Sequence, residues 1–482
     1  MTLPTFSPAM LAAVLPELLL LGLAGLVMLA DLIGQGRRGL GWLSAAGLAA
    51  VLVAALVWAR PSAEENLVFG GMLRQDWPSF SFKIIFLFSA AVICLLSLDV
   101  PGVGSRGEYY SLVIVATLGM CLMAAASDLI MLYLAIETTS IPLYVLAGFL
   151  KLDDKSAESG MKYFLFGALT SAVMLYGFSL LYGATGETNL YLLADKVRVG
   201  QLSPLFLGGV GALVLAGFGF KVAAVPFHFW TPDVYEGAPT PITAFISTAS
   251  KAAGFAVLVR FVLAFVPAVS LSWAAVLAAV ATATMSLGNL LALAQSNIKR
   301  LLAYSSIAHA GYALIGLVAL SEFGAASLVF YLAAYVVTNL AAFAVVILFA
   351  RSAGSDQIAD YAGLSRRAPG LALALLVAML SLAGMPPLAG FVAKVYVFAA
   401  AVEGGLIWLA IVGVLNAIVG LYYYLTVLKV VYLYRSEDES KPISVPRTYA
   451  LALGVCLAAI LAMGIASAPW LERALQAAGS LF

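Results

Sequence analysis

Charge is scarce in this sequence. Acidic and basic residues together make up 10% of its 482 positions and nearly cancel, leaving a net charge of +1. An ordinary soluble protein is roughly 25% charged, so a solvated surface of the usual kind is excluded. A nucleic-acid partner also has no support, because no basic excess exists to meet phosphates. Cysteine is nearly absent: Cys94, Cys121 and Cys456 stand singly in apolar runs. Without a C-x-x-C pair, neither an iron–sulfur cluster nor structural zinc is indicated. Only two histidines occur, and no C-x-x-C-H haem attachment site accompanies them. No G-x-G-x-x-G follows a strand, and no flavin site is evident. The chain is expected to hold no cofactor or metal of its own.

What fills the sequence instead is hydrocarbon, with 63% hydrophobic residues. Stretches such as AMLAAVLPELLLLGLAGLVMLA and LALALLVAMLSLAG are long enough to cross a bilayer, which takes about 20 mostly apolar residues. The fold class is therefore an all-α polytopic membrane protein, with the lipid bilayer as its solvent. Charged and Gly/Pro-rich breaks divide it into about fourteen spans by that length rule. They centre near residues 20, 50, 90, 117, 140, 173, 217, 253, 283, 310, 337, 385, 420 and 458. The run from Tyr109 to Leu150 is too long for one span and is cut at Ser127-Asp128. The first span lacks a basic start and carries Pro16 and Glu17, so it reads as retained rather than cleaved.

Alternating the loops separates the cations. One side collects Arg37, Arg38, Arg106, Lys151, Lys155, Lys162, Lys299, Arg300, Arg351, Arg366, Arg367, Arg435, Lys441 and Arg447. The other has Arg60, Arg74, Lys196, Arg198, Arg260 and Arg473. By the positive-inside rule the richer side is cytoplasmic, which puts both termini on the periplasmic side.

Sliding the sequence along itself by 168 residues aligns Ile130 with Ile298, Tyr144 with Tyr312, Gly148 with Gly316, Tyr163 with Tyr331 and Thr170 with Thr338. The octets LAGFGFKV and LAGFVAKV, ending at Val222 and Val395, match at an offset of 173, which a five-residue insertion would join to the same register. The displacement covers five spans, an odd number, so matching spans point in opposite directions. Such inverted repeats occur in many secondary transporters, whose sites lie near the midplane at irregular helices. On this reading the lysine of each octet, Lys221 and Lys394, came with the duplicated unit.

Four ionisable residues fall deep within spans: Glu137, Lys221, Lys251 and Lys394. Each costs roughly 2.5–3.5 kcal/mol at a helix centre, and such residues usually mark a proton or ion path. Structural ion pairs are the plainer reading, and snorkelling suits Lys429 and, less well, Lys83. Desolvation moves lysine and glutamate pKa values toward neutrality, and an opposite charge does the reverse. A Glu137–Lys221 pair would hold its proton on lysine when closed and release it when parted. Prolines crowd nearby, at Pro226 and in the HFWTPDVYEGAPTPITAF stretch, and at Pro386 and Pro387 before Lys394. Proline breaks a helix, and broken membrane helices are tolerated where they line a hydrated cavity. His309 is placed as a proton relay or a hydrogen-bonded interior residue, and His228 as structural.

Three stretches resemble a known family. EYYSLVIVATLGMCLMAAASDLIMLYLAIETTSIPLYVLAGF, KSAESGMKYFLFGALTSAVMLYGFSLLYGATGETNL and KVAAVPFHFWTPDVYEGAPTPITAFISTASKAAGF are similar to subunit N of bacterial NADH–quinone oxidoreductase, respiratory complex I, among its antiporter-like membrane subunits. The similarity runs over nearly the whole chain and is weakest in the first hundred residues. It implies fourteen helices, two inverted five-helix repeats and discontinuous helices 7 and 12. The expected division is 1–107 for helices 1–3, 108–270 and 271–435 for the repeats, and 436–482 for helix 14. The resemblance makes Glu137 the modulator of Lys221, Lys251 the link between halves and Lys394 the contact with the far side. Lysine at 394 favours subunit N over a sister subunit with glutamate there, and with little sequence after the last span the long lateral helix of the largest such subunit is not expected. It further implies a bacterial inner-membrane location, sister antiporter-like subunits as partners, and FMN, iron–sulfur clusters and quinone held in partner subunits. A cation/proton antiporter subunit and a passive membrane scaffold are the competing expectations.

Overall fold

The computed structural model describes residues 8–34, 37–61, 66–200, 202–269, 272–437, 439 and 441–481. The boundary expected between 270 and 271 lies outside the described residues, as do residues 1–7 and Phe482 at the termini. Fourteen crossing units appear, at the places the apolar runs predict. Spans 1 to 6 are Leu15–Leu32, Arg37–Trp58, Trp77–Ser97, Gly107–Ala125, Leu129–Ala147 and Asp154–Thr185. Span 7 begins with Pro204–Val222 and resumes at Trp230–Gly237. Span 8 runs from Thr240–Phe245 through a π-helical turn, Ile246–Ser250, into Lys251–Val269. Spans 9 to 11 are Ser272–Ala292, Ile298–Val318 and Glu322–Ala353. Span 12 is two pieces, Pro369–Ala383 and Ala389–Glu403, and spans 13 and 14 are Ile407–Leu433 and Arg447–Ile465. Among the described residues thirteen helices are long and apolar enough to cross a membrane, and the broken span 12 supplies the fourteenth unit.

Local chemistry sets the ends. Asp76, Asp128, Asp153, Asn189, Ser203, Asn297 and Ser321 each accept from the amides of a helix's first turn, satisfying donors that have no partner inside the helix. The cut at Ser127-Asp128 is real: span 4 ends at Ala125 and Asp128 caps span 5. Spans 6 and 11 are both 32 residues long and both stop at a left-handed glycine, Gly186 and Gly354. At 1.5 Å per residue each is about 48 Å, longer than the roughly 30 Å hydrocarbon core.

The repeat is visible in the loops. The Leu129 amide donates to Thr188 and the Leu190 amide to Ser127, zipping loop 4–5 to loop 6–7. The Ile298 amide donates to Asp356 and the Ile358 amide to Ser296, zipping loop 9–10 to loop 11–12 in the same way. Five crossings separate the two zips, so they lie on opposite faces, which is the inverted relation read from the sequence. Their surroundings differ. Span 11 is 94% buried over its most apolar window and span 6 only 33%, so one copy forms the axis of the bundle and the other its flank.

Three elements were not legible in the sequence. Residues Asn66–Val68 (β1) and Leu73–Gln75 (β2) pair as an antiparallel hairpin beside loop 4–5. Two amphipathic helices, Leu190–Arg198 and Ala468–Gly479, pack on the same face. The C-terminal one is held there by Arg74, which donates to the Ser480 carbonyl at 3.2 Å.

Candidate functional site: a buried line of amines and hydroxyls

Both broken spans fail in the same way. Pro226, Pro386 and Pro387 supply no amide and clash with a continuing helix. The chain leaves the first half-helix through a left-handed residue, Ala223 (φ 59°) in span 7 and Gly384 (φ 89°) in span 12. The next amides fold back, Ala224 onto Gly219 at 2.8 Å and Met385 onto Leu380 at 2.9 Å, closing carbonyls the helix end would leave open.

Aligning these breaks corrects the octet match. Lys221 lies two residues before its left-handed residue, whereas Lys394 lies ten after its own. Their positions are not equivalent: Leu382 stands where the first unit has Lys221, and Asp233 where the second has Lys394. The second unit is shorter between span 11 and the break because two short turns, Ile358–Tyr361 and Leu364–Arg367, replace the helix Leu190–Arg198. This also explains why proline follows one lysine and precedes the other.

The three lysines are buried, at 6%, 3% and 5% exposure for Lys221, Lys251 and Lys394. Among the described residues none has a carboxylate within 4 Å. Lys221 Nζ donates to Ser140 Oγ at 2.5 Å. Lys251, on the turn after the π-helical segment, donates to the Ser306 carbonyl at 2.8 Å and to its Oγ at 2.9 Å. Single π turns inside α-helices are frequent at functional sites. Lys394 reaches back across its own break to the carbonyls of Leu382 and Ala383, at 3.0 and 2.9 Å, and lies 5.0 Å from the Tyr312 ring centre. A helix C-terminus carries partial negative charge, so the broken end itself holds this cation.

Glu137 is half-buried and accepts from Ser171. It does not pair with Lys221: the amine goes to Ser140, one turn along span 5, while span 6 supplies Ser171 to the carboxylate. The pair is open. Gly254, one turn beyond Lys251, brings span 8 against Lys221; a Cβ there would stand 3.1 Å from the Lys221 Cβ. His309, on span 10, lies between two tyrosines, Nδ1 2.7 Å from Tyr331 Oη and Nε2 3.2 Å from Tyr424 Oη. Tyr424 Oη is also 2.5 Å from Ser305 Oγ. These hydroxyl partners are far apart in sequence, and no single-sequence signal marks them.

The remaining cations are structural or peripheral. Lys83 is buried and paired with Glu17 at 2.7 Å, not snorkelling. Lys429 is exposed over the Tyr434 ring. His228 is buried, with an unpartnered Nδ1. Arg260, assigned to a loop from the sequence, is inside span 8 and bonded to Asp76 at 2.7 and 2.9 Å; its place in the apolar run FAVLVRFVLAF was a usable signal. At the loop face Lys155, Lys162 and Arg300 bind Asp233 and Glu236 at 2.6–3.0 Å, tying the second half of span 7 to spans 6 and 10. Among the described residues no cluster of His, Cys, Asp and Glu could hold a metal ion.

Fourteen crossings, two inverted units, two broken helices and buried amines define an antiporter-like membrane subunit. The chain belongs to the family described as NADH:quinone oxidoreductase/Mrp antiporter, TM, which it matches over residues 126–420. Within that family it belongs with the NADH-quinone oxidoreductase subunit N proteins. It is 45% identical to the subunit N of Moorella thermoacetica over 448 residues, covering 92% of this chain and 93% of that one. It is 44% identical to the subunit N of Trichlorobacter lovleyi, covering 98% of each. A chain of respiratory complex I from Thermus thermophilus with bound aureothin superposes with a TM-score of 0.80 at 36% identity, covering 95% of this chain and 98% of that one. A chain of the Mrp complex from Dietzia sp. DQ12-45-1b shares the fold, with a TM-score of 0.88 at 21% identity over 99% and 98%.

Proposed function

We propose that this chain is a proton-translocating membrane-arm subunit of an NADH–quinone oxidoreductase in a bacterial inner membrane. It moves protons through Glu137, Lys221, Lys251 and Lys394, with His309 as a relay between tyrosine hydroxyls. Sister antiporter-like subunits flank it. NADH-to-quinone electron transfer, with its FMN and iron–sulfur clusters, belongs to partner subunits. One observation carries the reading: three buried ammonium groups rest on hydroxyls and carbonyls rather than on carboxylates. A purely structural design would pair them, as it pairs Lys83 with Glu17 and Arg260 with Asp76.

The open Glu137–Lys221 arrangement gives a workable switch. Ser140 holds the amine one helical turn from the carboxylate, so a small shift of the lysine exchanges a hydroxyl partner for a charged one. Such a contact at 4 Å is worth about 4 kcal/mol at an effective dielectric constant of 20. Moving a charge through 100 mV costs about 2.3 kcal/mol, so closing or opening one pair exceeds the load. Lys251 and the hydroxyl cluster around His309 then continue the line toward Lys394.

The test is proton uptake by the assembled complex in proteoliposomes. Lys221→Ala and Lys251→Ala are expected to lose most pumping, and Lys394→Ala to be impaired. Normal pumping in the first two would overturn the reading and leave a scaffold. The fold shared with an Mrp complex favours a second reading, a cation/proton antiporter subunit. A strict sodium requirement, seen on replacing sodium by potassium, would support that one.

A further inference from the structure

Where spans 9, 10 and 13 meet the loop face, a cavity of about 350 Å³ enters the second unit. A single water needs only about 10–15 Å³ of such space. Its lining includes the exposed or half-buried Gln295, Ser296, Gln357 and Thr426, which put the mouth at the surface beside Leu293 and Tyr422, and the buried Leu301 and Tyr423, which put the inner end there. Gln357 belongs to the zip between loops 9–10 and 11–12, which fixes the mouth on that face. Leu301 is one helical turn from Ser305 on the same side of span 10, so the cavity stops about 5 Å short of the Ser305–Tyr424–His309 cluster. Tyr423, buried at the end, donates to Asn289 Oδ1 at 3.0 Å. Asn289 in turn donates to Tyr312 Oη at 2.9 Å, and the Tyr312 ring underlies Lys394. An asparagine buried between helices in lipid is costly unless it is bonded, and here it locks Tyr423 across the cavity's inner end.

We propose that this cavity is an aqueous inlet carrying protons from the loop face to the hydroxyl cluster around His309, with Tyr423 and Asn289 as its gate. The proposal rests on the translocation reading above and adds an entry to the second unit that does not pass through Lys221. When the Tyr423–Asn289 bond opens, water in the cavity reaches Ser305. A hydronium there gives its proton to Ser305 Oγ as Ser305 passes its own to Tyr424 Oη and Tyr424 passes its own to His309 Nε2, so no net charge is left on either hydroxyl.

The experiment uses Thr426→Cys in the assembled complex, labelled with a charged, membrane-impermeant thiosulfonate. The native thiols are all buried and give little background. The expected result is fast labelling from the loop side and a severalfold fall in protons moved per NADH, relative to the same variant unlabelled. Labelled Leu152→Cys, fully exposed on that face, is expected to keep its ratio. No reaction at Thr426→Cys would show the cavity is not aqueous. Labelling without loss of pumping would show that it is not an inlet. Either result overturns the proposal. If Lys221→Ala and Lys251→Ala pump normally, the lysine reading fails instead, while block at Thr426→Cys would still mark the route. Tyr423→Phe, which removes only the gate hydroxyl, is expected to raise passive proton leak at least severalfold, and an unchanged leak would remove Tyr423 from the gate.

Discussion

At the scale of single residues, a hydroxyl decides where a buried charge rests. Ser140 is the acceptor for Lys221 at 2.5 Å, and it stands one turn from Glu137. Removing it leaves a buried ammonium short of a partner, a penalty of about 1–3 kcal/mol, and Glu137 is the nearest replacement on the same helix. Ser140→Ala is therefore expected to trap the lysine on the carboxylate. The complex should assemble and transfer electrons but pump several times more slowly, and Ser140→Thr should restore the rate. Pumping at the parent rate by Ser140→Ala, measured by pH-sensitive dye in proteoliposomes, would show that the hydroxyl is only packing.

At the scale of elements, the helix ends matter more than the helices. Gly384 and Gly186 both close a helix in the left-handed conformation, φ 89° and 70°, where any L side chain costs roughly 1–2 kcal/mol. Their surroundings differ. A Cβ on Gly384 would lie 2.9 Å from Lys394 Cδ, whereas Gly186 has open space. Gly384→Ala is expected to lower stability and also to push Lys394 off the Leu382 and Ala383 carbonyls, impairing pumping. Gly186→Ala should show the stability loss alone, seen as a lower melting temperature with normal pumping. Equal pumping by the two variants would mean that the hold of the broken end on Lys394 is irrelevant. Much of this was legible beforehand, for physical reasons. Proline cannot donate an amide, so Pro226, Pro386 and Pro387 announce both breaks, and apolar length announces every span. What misled was similarity of letters: in sequence rich in Ala, Leu and Gly, two octets matched without sharing a place in the fold. The hydroxyl partners of His309 were illegible, because Tyr331 and Tyr424 come from other spans and carry no local pattern.

At the scale of the whole molecule, one ionic knot gathers the hairpin and spans 3, 4 and 8. Asp76 caps span 3 and accepts two bonds from Arg260 of span 8. Arg260 also donates to the Ala124 carbonyl of span 4 and to Tyr191, and Arg74 of the hairpin lies 3.4 Å from the same carboxylate. The helix that carries Lys251 is thereby pinned to the hairpin face nine residues further on. Burial raises the Asp76 pKa, but the Arg260 charge and its bonds, the Ser79 amide and Arg74 outweigh that and hold it below the ordinary carboxylate value. A carboxyl depressed in the folded state stabilises fully above its unfolded pKa of about 3.9, and the contribution is lost as pH falls through the lower folded value. Arg260→Met removes the main partner and strands a buried charge, which costs about 3–5 kcal/mol. The melting temperature of this variant is expected to fall well below the parent's at neutral pH, and the gap should narrow on acidification, beginning where burial makes the unpaired Asp76 of the variant protonate and closing as pH falls through the parent's depressed value. The double variant Arg260→Met/Asp76→Ala, which removes the stranded carboxylate but also Arg74's partner and the cap of span 3, should recover only part of the loss. A gap that stays constant with pH would show that Arg260 holds span 8 by packing, and that the knot is not what fixes the height of Lys251.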